Sequence, residues 1–157
     1  MAYKKKTWAE KLADDKDLPR KFRLEGDAAK KWGRGTMVIA RPRDVDALMK
    51  RVPKGRVVTI NELRTALARQ HGTTVACPIT TGIFAWIAAH AAAESGAKKA
   101  TPYWRTLKNG GEVNAKYPGG LNAACRQLRA EGHKIETRGK RRFVAGFEKS
   151  LVELTDS

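Results

Sequence analysis

Two cysteines, three histidines and a pair of adjacent aromatics are the side chains of this 157-residue chain whose chemistry invites use. Cys77 directly precedes Pro78 at the expected start of a helix, where backbone dipoles lower a thiol's pKa and sharpen its nucleophilicity. The competing reading is a small buried thiol in an apolar turn. Cys125 falls on the apolar face of a predicted helix and reads as core. His71, His90 and His133 have neither metal-ligand spacing nor a cysteine pair beside them, so no metal site and no cofactor is expected. Tyr103 and Trp104 stand together in Ala100-Thr101-Pro102-Tyr103-Trp104-Arg105-Thr106-Leu107-Lys108-Asn109-Gly110-Gly111, a basic, glycine-ended stretch. Such a pair serves either as a platform on which nucleic-acid bases stack, worth about 1–3 kcal/mol per base, or as core, each ring burying on the order of 150–250 Å2. Both readings stand open on the residues alone.

The charge narrows the partners. Lysine and arginine number 32 against 16 acidic residues, a formal net charge of +16 and a pI near 10.3, so half of the cations have no acid to pair with. A polyanion is the natural partner: nucleic acid first, an anionic membrane surface second, with a solvated basic shell as the bland alternative. The length suits one ordinary domain that buries a core without metals or disulfides. Two unpaired cysteines fit a reducing cytoplasm. The longest apolar segment, Ile83 to Ala93, is interrupted by His90 and too short to span a bilayer, and no apolar run follows the Met1-Ala2-Tyr3-Lys4-Lys5-Lys6 start. A soluble, unexported monomer is expected.

The elements that must position these residues follow from periodicity. Residues 1–40 hold 11 basic and 6 acidic residues with scattered apolar ones, and read as a basic, partly extended arm with a strand at Thr36–Ala40. Val45, Leu48, Met49 and Val52 make a helix face stopped by Pro53 and Gly55. Val57-Val58 reads as a brief strand, and Thr59-Ile60-Asn61-Glu62 has capping-box spacing before a second helix through Leu63, Ala66 and Leu67, closed by Gly72. Thr80 to Glu94 predicts a mostly buried third helix, giving a helix-turn-helix pair. A further helix carries Leu121, Ala124, Cys125 and Leu128, and residues 134–144 read as a hairpin whose tip bears Arg138, Lys140, Arg141 and Arg142. The expected fold is α+β and mostly helical: a winged helix-turn-helix domain over residues 41–149, preceded by the basic arm and followed by a tail at 150–157.

With these residues in place the chain resembles the catalytic, DNA-binding half of the O6-alkylguanine-DNA alkyltransferases and their non-catalytic relatives, the alkyltransferase-like proteins. The likeness runs from about Val52 to Gly132. Its anchors are Val52-Pro53-Lys54-Gly55, Val57-Val58-Thr59, Gly82, Pro102 and Arg105, Tyr117 with Gly119-Gly120-Leu121, and Glu131-Gly132. The resemblance implies minor-groove binding and extrusion of a damaged guanine. Where those enzymes have Pro-Cys-His-Arg, this chain has Pro102-Tyr103-Trp104-Arg105. A tyrosine titrates near 10 and Trp104 offers no basic nitrogen, so alkyl transfer is not expected. Ile60 stands at the family's nucleotide-rotating tyrosine, and Ile79 at the arginine that fills the vacated space; an apolar wedge at Ile79 can still part base pairs.

The expected function is therefore non-enzymatic binding of duplex DNA, at alkylated or distorted sites, marking them for repair proteins. Pro102, Tyr103, Trp104, Arg105, Tyr117 and Glu131 are the vestigial active-site positions, with Glu131 reduced to a helix-end role and Arg105 holding the loop or a phosphate. Thr59, Ile60, Ile79, Thr80, Thr81, Arg56, Arg64, Arg69, Gly119, Gly120, Arg138, Lys140 and Arg141 are the expected DNA contacts. The alternatives are a DNA-modifying enzyme using Cys77 or Glu131, and an RNA-binding protein.

Overall fold

The computed structural model describes residues 5–154. Along the chain run α1 (Trp8–Ala13), β1 (Arg20–Leu24), α2 (Gly26–Trp32), β2 (Gly35–Ile39), α3 (Pro42–Lys50), β3 (Val58–Thr59), α4 (Ile60–His71), β4 (Val75–Ala76), α5 (Pro78–Ser95), β5 (Thr106–Leu107), α6 (Gly120–Ala130), β6 (Ile135–Arg138) and β7 (Arg141–Val144). The fold is mixed α+β, with about half of the chain helical once the short tight turns are included.

Helix boundaries follow the local chemistry. Pro42 opens α3, the Asp44 carboxylate accepts the Arg41 N–H at 3.0 Å, and Val45, Leu48, Met49 and Val52 are all buried. In α4 the capping box forms as expected: Thr59 N–H donates to Glu62 Oε1 at 2.6 Å while Thr59 Oγ1 accepts from Asn61 N–H at 3.1 Å. Gly72, left-handed at φ 67°, ends it. The longest helix, α5, is apolar nearly all round; Phe84, Ala85, Ile87, Ala88 and Ala91 are buried, and its alanines let α1, α3 and α4 approach closely.

Residues 7–40 differ from the arm read in the sequence. The segment is folded onto the domain. Glu94 of α5 accepts from the N–H groups of Trp8 and Ala9, the Trp8 ring stacks on His90 with centroids 4.3 Å apart, and Trp86 meets Trp8 edge-on at 4.8 Å. Arg43 forks onto Asp15 at 2.9 and 3.0 Å. β1 and β2 pair antiparallel, and β2 pairs parallel with β4, in the order β1-β2-β4. Val38 from this sheet enters the main core, and Leu24, Met37 and Cys77 form a smaller one. The charge of the segment misled: its few apolar residues suffice because Phe22 and Leu24 share one face of β1, while Met37 and Val38 of β2 enter the two cores on either side of the sheet. Of the rest of the expected arm, Lys6 pairs with Asp14 at 2.6 Å, and residues 1–4 lie outside the described residues.

A further core lies under α6, where Val57, Leu107, Val113, Cys125, Leu128 and Val144 meet. β3 pairs parallel with β5, and β6 with β7 in the expected hairpin. The end of the chain is also held. Leu151 bridges Val57 and Leu154 is buried, so the expected tail is anchored through residue 154; residues 155–157 lie outside the described residues. No helix of the described residues is long and apolar enough to cross a membrane.

Because Leu24, Met37 and Val38 are nine-tenths or more buried, deletion of residues 1–40 should abolish cooperative thermal unfolding followed by circular dichroism. A free arm would leave the transition unchanged.

Candidate nucleic-acid interface

Tyr103, Trp104 and Arg105 form one tight helical turn between α5 and β5. Upstream, the buried Asp46 carboxylate of α3 accepts the Thr101 hydroxyl, fixing the approach to Pro102. Downstream, Arg105 Nε donates to Glu131 Oε1 at 2.9 Å and Nη2 to Oε2 at 2.7 Å, a two-pronged pair, while Nη1 donates to the Val52 carbonyl at 2.8 Å. The two side chains are 14% and 6% exposed. Arg105 thus holds the loop and has no freedom to bind a phosphate, and Glu131 has a definite partner, not a bare helix-end position. Burial raises the Glu131 pKa, but the Arg105 pair, with help from Trp104 and the Gly55 backbone, outweighs it and the carboxyl ends below its ordinary value.

The aromatic pair straddles two cores. Tyr103 packs against the main core and Trp104 against the core under α6; their rings meet edge-on at 5.4 Å, and Tyr103 meets Tyr117 edge-on at 5.9 Å. Burial raises the Tyr103 pKa, and raises that of the buried Tyr117 further. The Trp104 indole N–H is buried and close enough to Glu131 to help keep it ionised, yet makes no hydrogen bond of good geometry. Of the two readings open on the sequence, the contacts seen here are those of packing. Both rings pack against a core while staying partly exposed, and a phenol with a raised pKa is no nucleophile at neutral pH.

A hollow lies beside α5 all the same. Ile79, Gly82, Ile83, Trp86 and His90 form one wall, and Lys108, Asn114 and Lys116 the other, around about 700 Å3. Ile79 is 57% and Ile83 47% exposed, so this end of α5 presents apolar side chains to solvent. Of these wall residues the sequence reading expected a DNA contact at Ile79 alone. The missed signal was a surplus: a helix apolar all round carries more apolar surface than its core needs, and Ile79, Ile83, Trp86 and His90 recur at i, i+4, i+7 and i+11. The loop forming the far wall joins the hairpin, since Val113 N–H donates to the Arg142 carbonyl at 2.8 Å and Glu112 accepts from Arg141 Nη2 at 2.7 Å.

The remaining expected contacts divide. Thr59 is buried in its cap, and Thr81 is buried with its hydroxyl donating to the Cys77 carbonyl at 2.6 Å, so neither hydroxyl is available to a ligand. Arg64 is half-buried, donating to the Ala76 carbonyl at 2.9 Å, and Ile60 packs on the main core. These positions were read as contacts because a helix start that binds phosphate and one that caps itself have the same sequence. Thr80 is partly exposed, and Arg56, Arg69, Arg138, Lys140 and Arg141 are exposed. Arg138 and Arg141 lie over the Phe143 ring at 4.4 and 5.0 Å. Gly119 and Gly120 make the turn into α6, and a β-carbon on Gly119 would press on Ala123. Cys77 caps α5 and is buried against Leu24 and Met37, and burial raises the Cys125 pKa. Among the described residues no cluster of three or more His, Cys, Asp or Glu could hold a metal ion.

In architecture the chain is similar to an alkyltransferase-like protein. The solved structure it matches is S. pombe Atl1 in complex with damaged DNA containing O6-carboxymethylguanine, at a TM-score of 0.51 and 17% identity, covering 71% of this chain and 93% of that one. At that identity the likeness speaks to the fold. No family model and no curated protein matches the chain.

Removal of one partner from the Arg105–Glu131 pair strands a buried charge, so Arg105→Ala should destabilise by about 3–5 kcal/mol in urea unfolding at pH 7. A carboxyl depressed in the folded state stabilises fully above the ordinary glutamate range and stops doing so as pH falls through its folded value. The gap between wild type and variant should therefore narrow below about pH 4. A pH-independent gap would place the energy elsewhere.

Proposed function

We propose that this protein binds duplex DNA without chemical turnover, at alkylated or distorted sites, and marks them for downstream repair. The observation that carries the reading is the exposed apolar end of α5, Ile79 and Ile83, facing the loop cations Lys108 and Lys116 across an open groove. An apolar wedge flanked by cations suits a bent or partly unstacked duplex: the cations neutralise phosphates and the wedge enters between base steps. The fold shared with S. pombe Atl1, itself solved on damaged DNA, supports the same assignment. The β6–β7 hairpin takes the part of the wing, with Lys140 at its tip and Arg138 and Arg141 flanking it.

Tyr103 and Trp104, filling the place of a cysteine and a histidine, leave the groove with packing and charge as its means of recognition. The transferable alkyl group of a damaged guanine has no thiolate to meet there. Preference for a lesion would come from the shape of the groove and from a weakened, easily opened base step. Ile79 and Ile83 are the residues assigned to that step, with Thr80, Arg69 and Lys140 on the backbone.

Fluorescence anisotropy with labelled duplexes carrying guanine or O6-methylguanine tests both parts. Log affinity should fall linearly with log salt, with a slope of about −0.9 for each phosphate neutralised. Ile79→Asp with Ile83→Asp should weaken binding about tenfold or more, equivalent to at least about 1.4 kcal/mol. Absent or salt-insensitive binding would refute the DNA reading, equal affinity for the two duplexes the lesion reading, and stronger binding to structured RNA would replace the partner.

A further inference from the structure

The likeness to Atl1 leaves more than a quarter of this chain uncovered, and the sequence resemblance begins only at Val52. Upstream lies the β1–α2–β2 unit, and its charge is one-sided: residues 20–34 carry six cations, Arg20, Lys21, Arg23, Lys30, Lys31 and Arg34, against two acids, Glu25 and Asp27. All six cations are exposed, and they form no ion pair with any described residue; Lys31 lies over the Trp32 ring at 4.8 Å. Lysines and arginines elsewhere in the fold, such as Arg43, Arg105 and Arg141, do take carboxylate partners.

Three of these cations are gathered at a groove. Arg23 and Glu25 from the end of β1, Lys30 from α2, and Arg34 from the turn into β2 line a depression of about 890 Å3 floored by Leu24, Ala29 and Gly35. Cross-strand pairing sets it: Arg23 faces Thr36 and Leu24 faces Gly35. Gly35 is held tightly, because a β-carbon there would collide with the Thr74 side chain, and Thr36 N–H donates to Thr74 Oγ1 at 3.1 Å. Thr74 precedes β4, and one residue after β4 α5 begins. Cys77, the cap of α5, is buried in the same small core as Leu24 and Met37. The basic unit is therefore packed at the end of α5 from which Ile79 protrudes.

We infer that the β1–α2–β2 unit is a second phosphate-contacting surface, with Arg23, Lys30 and Arg34 gripping the backbone of duplex DNA that flanks the site engaged by α5. The inference rests on the proposed DNA-binding function. It adds that this chain spans more duplex than the end of α5 and the loop opposite it would alone. Unpaired cations at a concave surface adjoining a DNA-facing helix end are placed to release counterions from phosphates one after another along the duplex.

The full-length chain carrying Arg23→Ala, Lys30→Ala and Arg34→Ala is compared with wild type on short and long unmodified duplexes over a series of salt concentrations. Thermal unfolding checks that both are folded. A conservative variant, Arg23→Lys with Arg34→Lys, keeps the charge. On the long duplex the alanine variant should show a log affinity against log salt slope reduced by about 2 to 3, at about 0.9 for each phosphate no longer neutralised. The conservative variant should keep the wild-type slope, and the alanine variant should lose the preference for longer DNA. Wild type that binds DNA with salt dependence while the alanine variant keeps its slope and length preference would overturn this inference alone. Solubility that falls in the alanine variant with an unchanged slope would make the cations guards of the exposed β1 edge and overturn it too. Failure of wild type to bind duplex DNA would overturn both this inference and the function beneath it.

Discussion

The fold around the candidate site depends on one buried ion pair. Arg105 reaches Glu131 at the end of α6 with two donors and the Val52 carbonyl, just beyond α3, with a third. Three stretches far apart in sequence are thereby fastened at one guanidinium. Taking both charges out of water costs several kcal/mol per ion, so the arrangement persists because every donor direction used has an acceptor and the geometry is two-pronged. Once Arg105 is fixed, β5 follows directly and pairs with β3, Tyr103 turns into the main core, and Trp104 turns into the core under α6.

That constraint separates packing from recognition. The turn of Tyr103, Trp104 and Arg105 is an aromatic joint between two cores, and burial makes its Tyr103 a weaker acid than free tyrosine. Under the proposed function recognition falls to the end of α5, where the apolar character that builds the core continues past it to the exposed Ile79 and Ile83. The opposing loop is tied to the β6–β7 hairpin through Glu112 and Arg141, so groove wall and basic hairpin form one connected surface.

Much of this was legible in the residues. The 3.6-residue spacing of Val45, Leu48, Met49 and Val52, the Thr59–Glu62 capping box and the Gly139-centred hairpin each encode local structure, and each formed. The strand expected at Thr36–Ala40 forms as β2, but the folding of the rest of residues 7–40 was not legible, because β1 and the helices among lysines look like a charged arm until β2, itself held by β4 more than thirty residues away, supplies a partner. Thr59, Thr81 and Arg64 illustrate a second limit. A hydroxyl or guanidinium at a helix start has the same identity whether it faces phosphate or the chain's own backbone, and the difference lies in tertiary placement. Ile83, Lys108 and Lys116 were hidden for the opposite reason: an exposed isoleucine in an apolar helix and a lysine in a loop are individually ordinary, and only their meeting across a groove gives them a role.

The central claim is that the end of α5 and the loop opposite it form the surface that meets DNA. Backbone amide resonances of the isotope-labelled chain, followed during titration with a duplex at moderate salt, test it most directly. The account predicts shifts concentrated at residues 79–86, 108–116 and 138–141, with the amides around the buried Arg105–Glu131 pair little changed. Shifts confined to α4 and the far side of α3, or scattered without saturation, would contradict it.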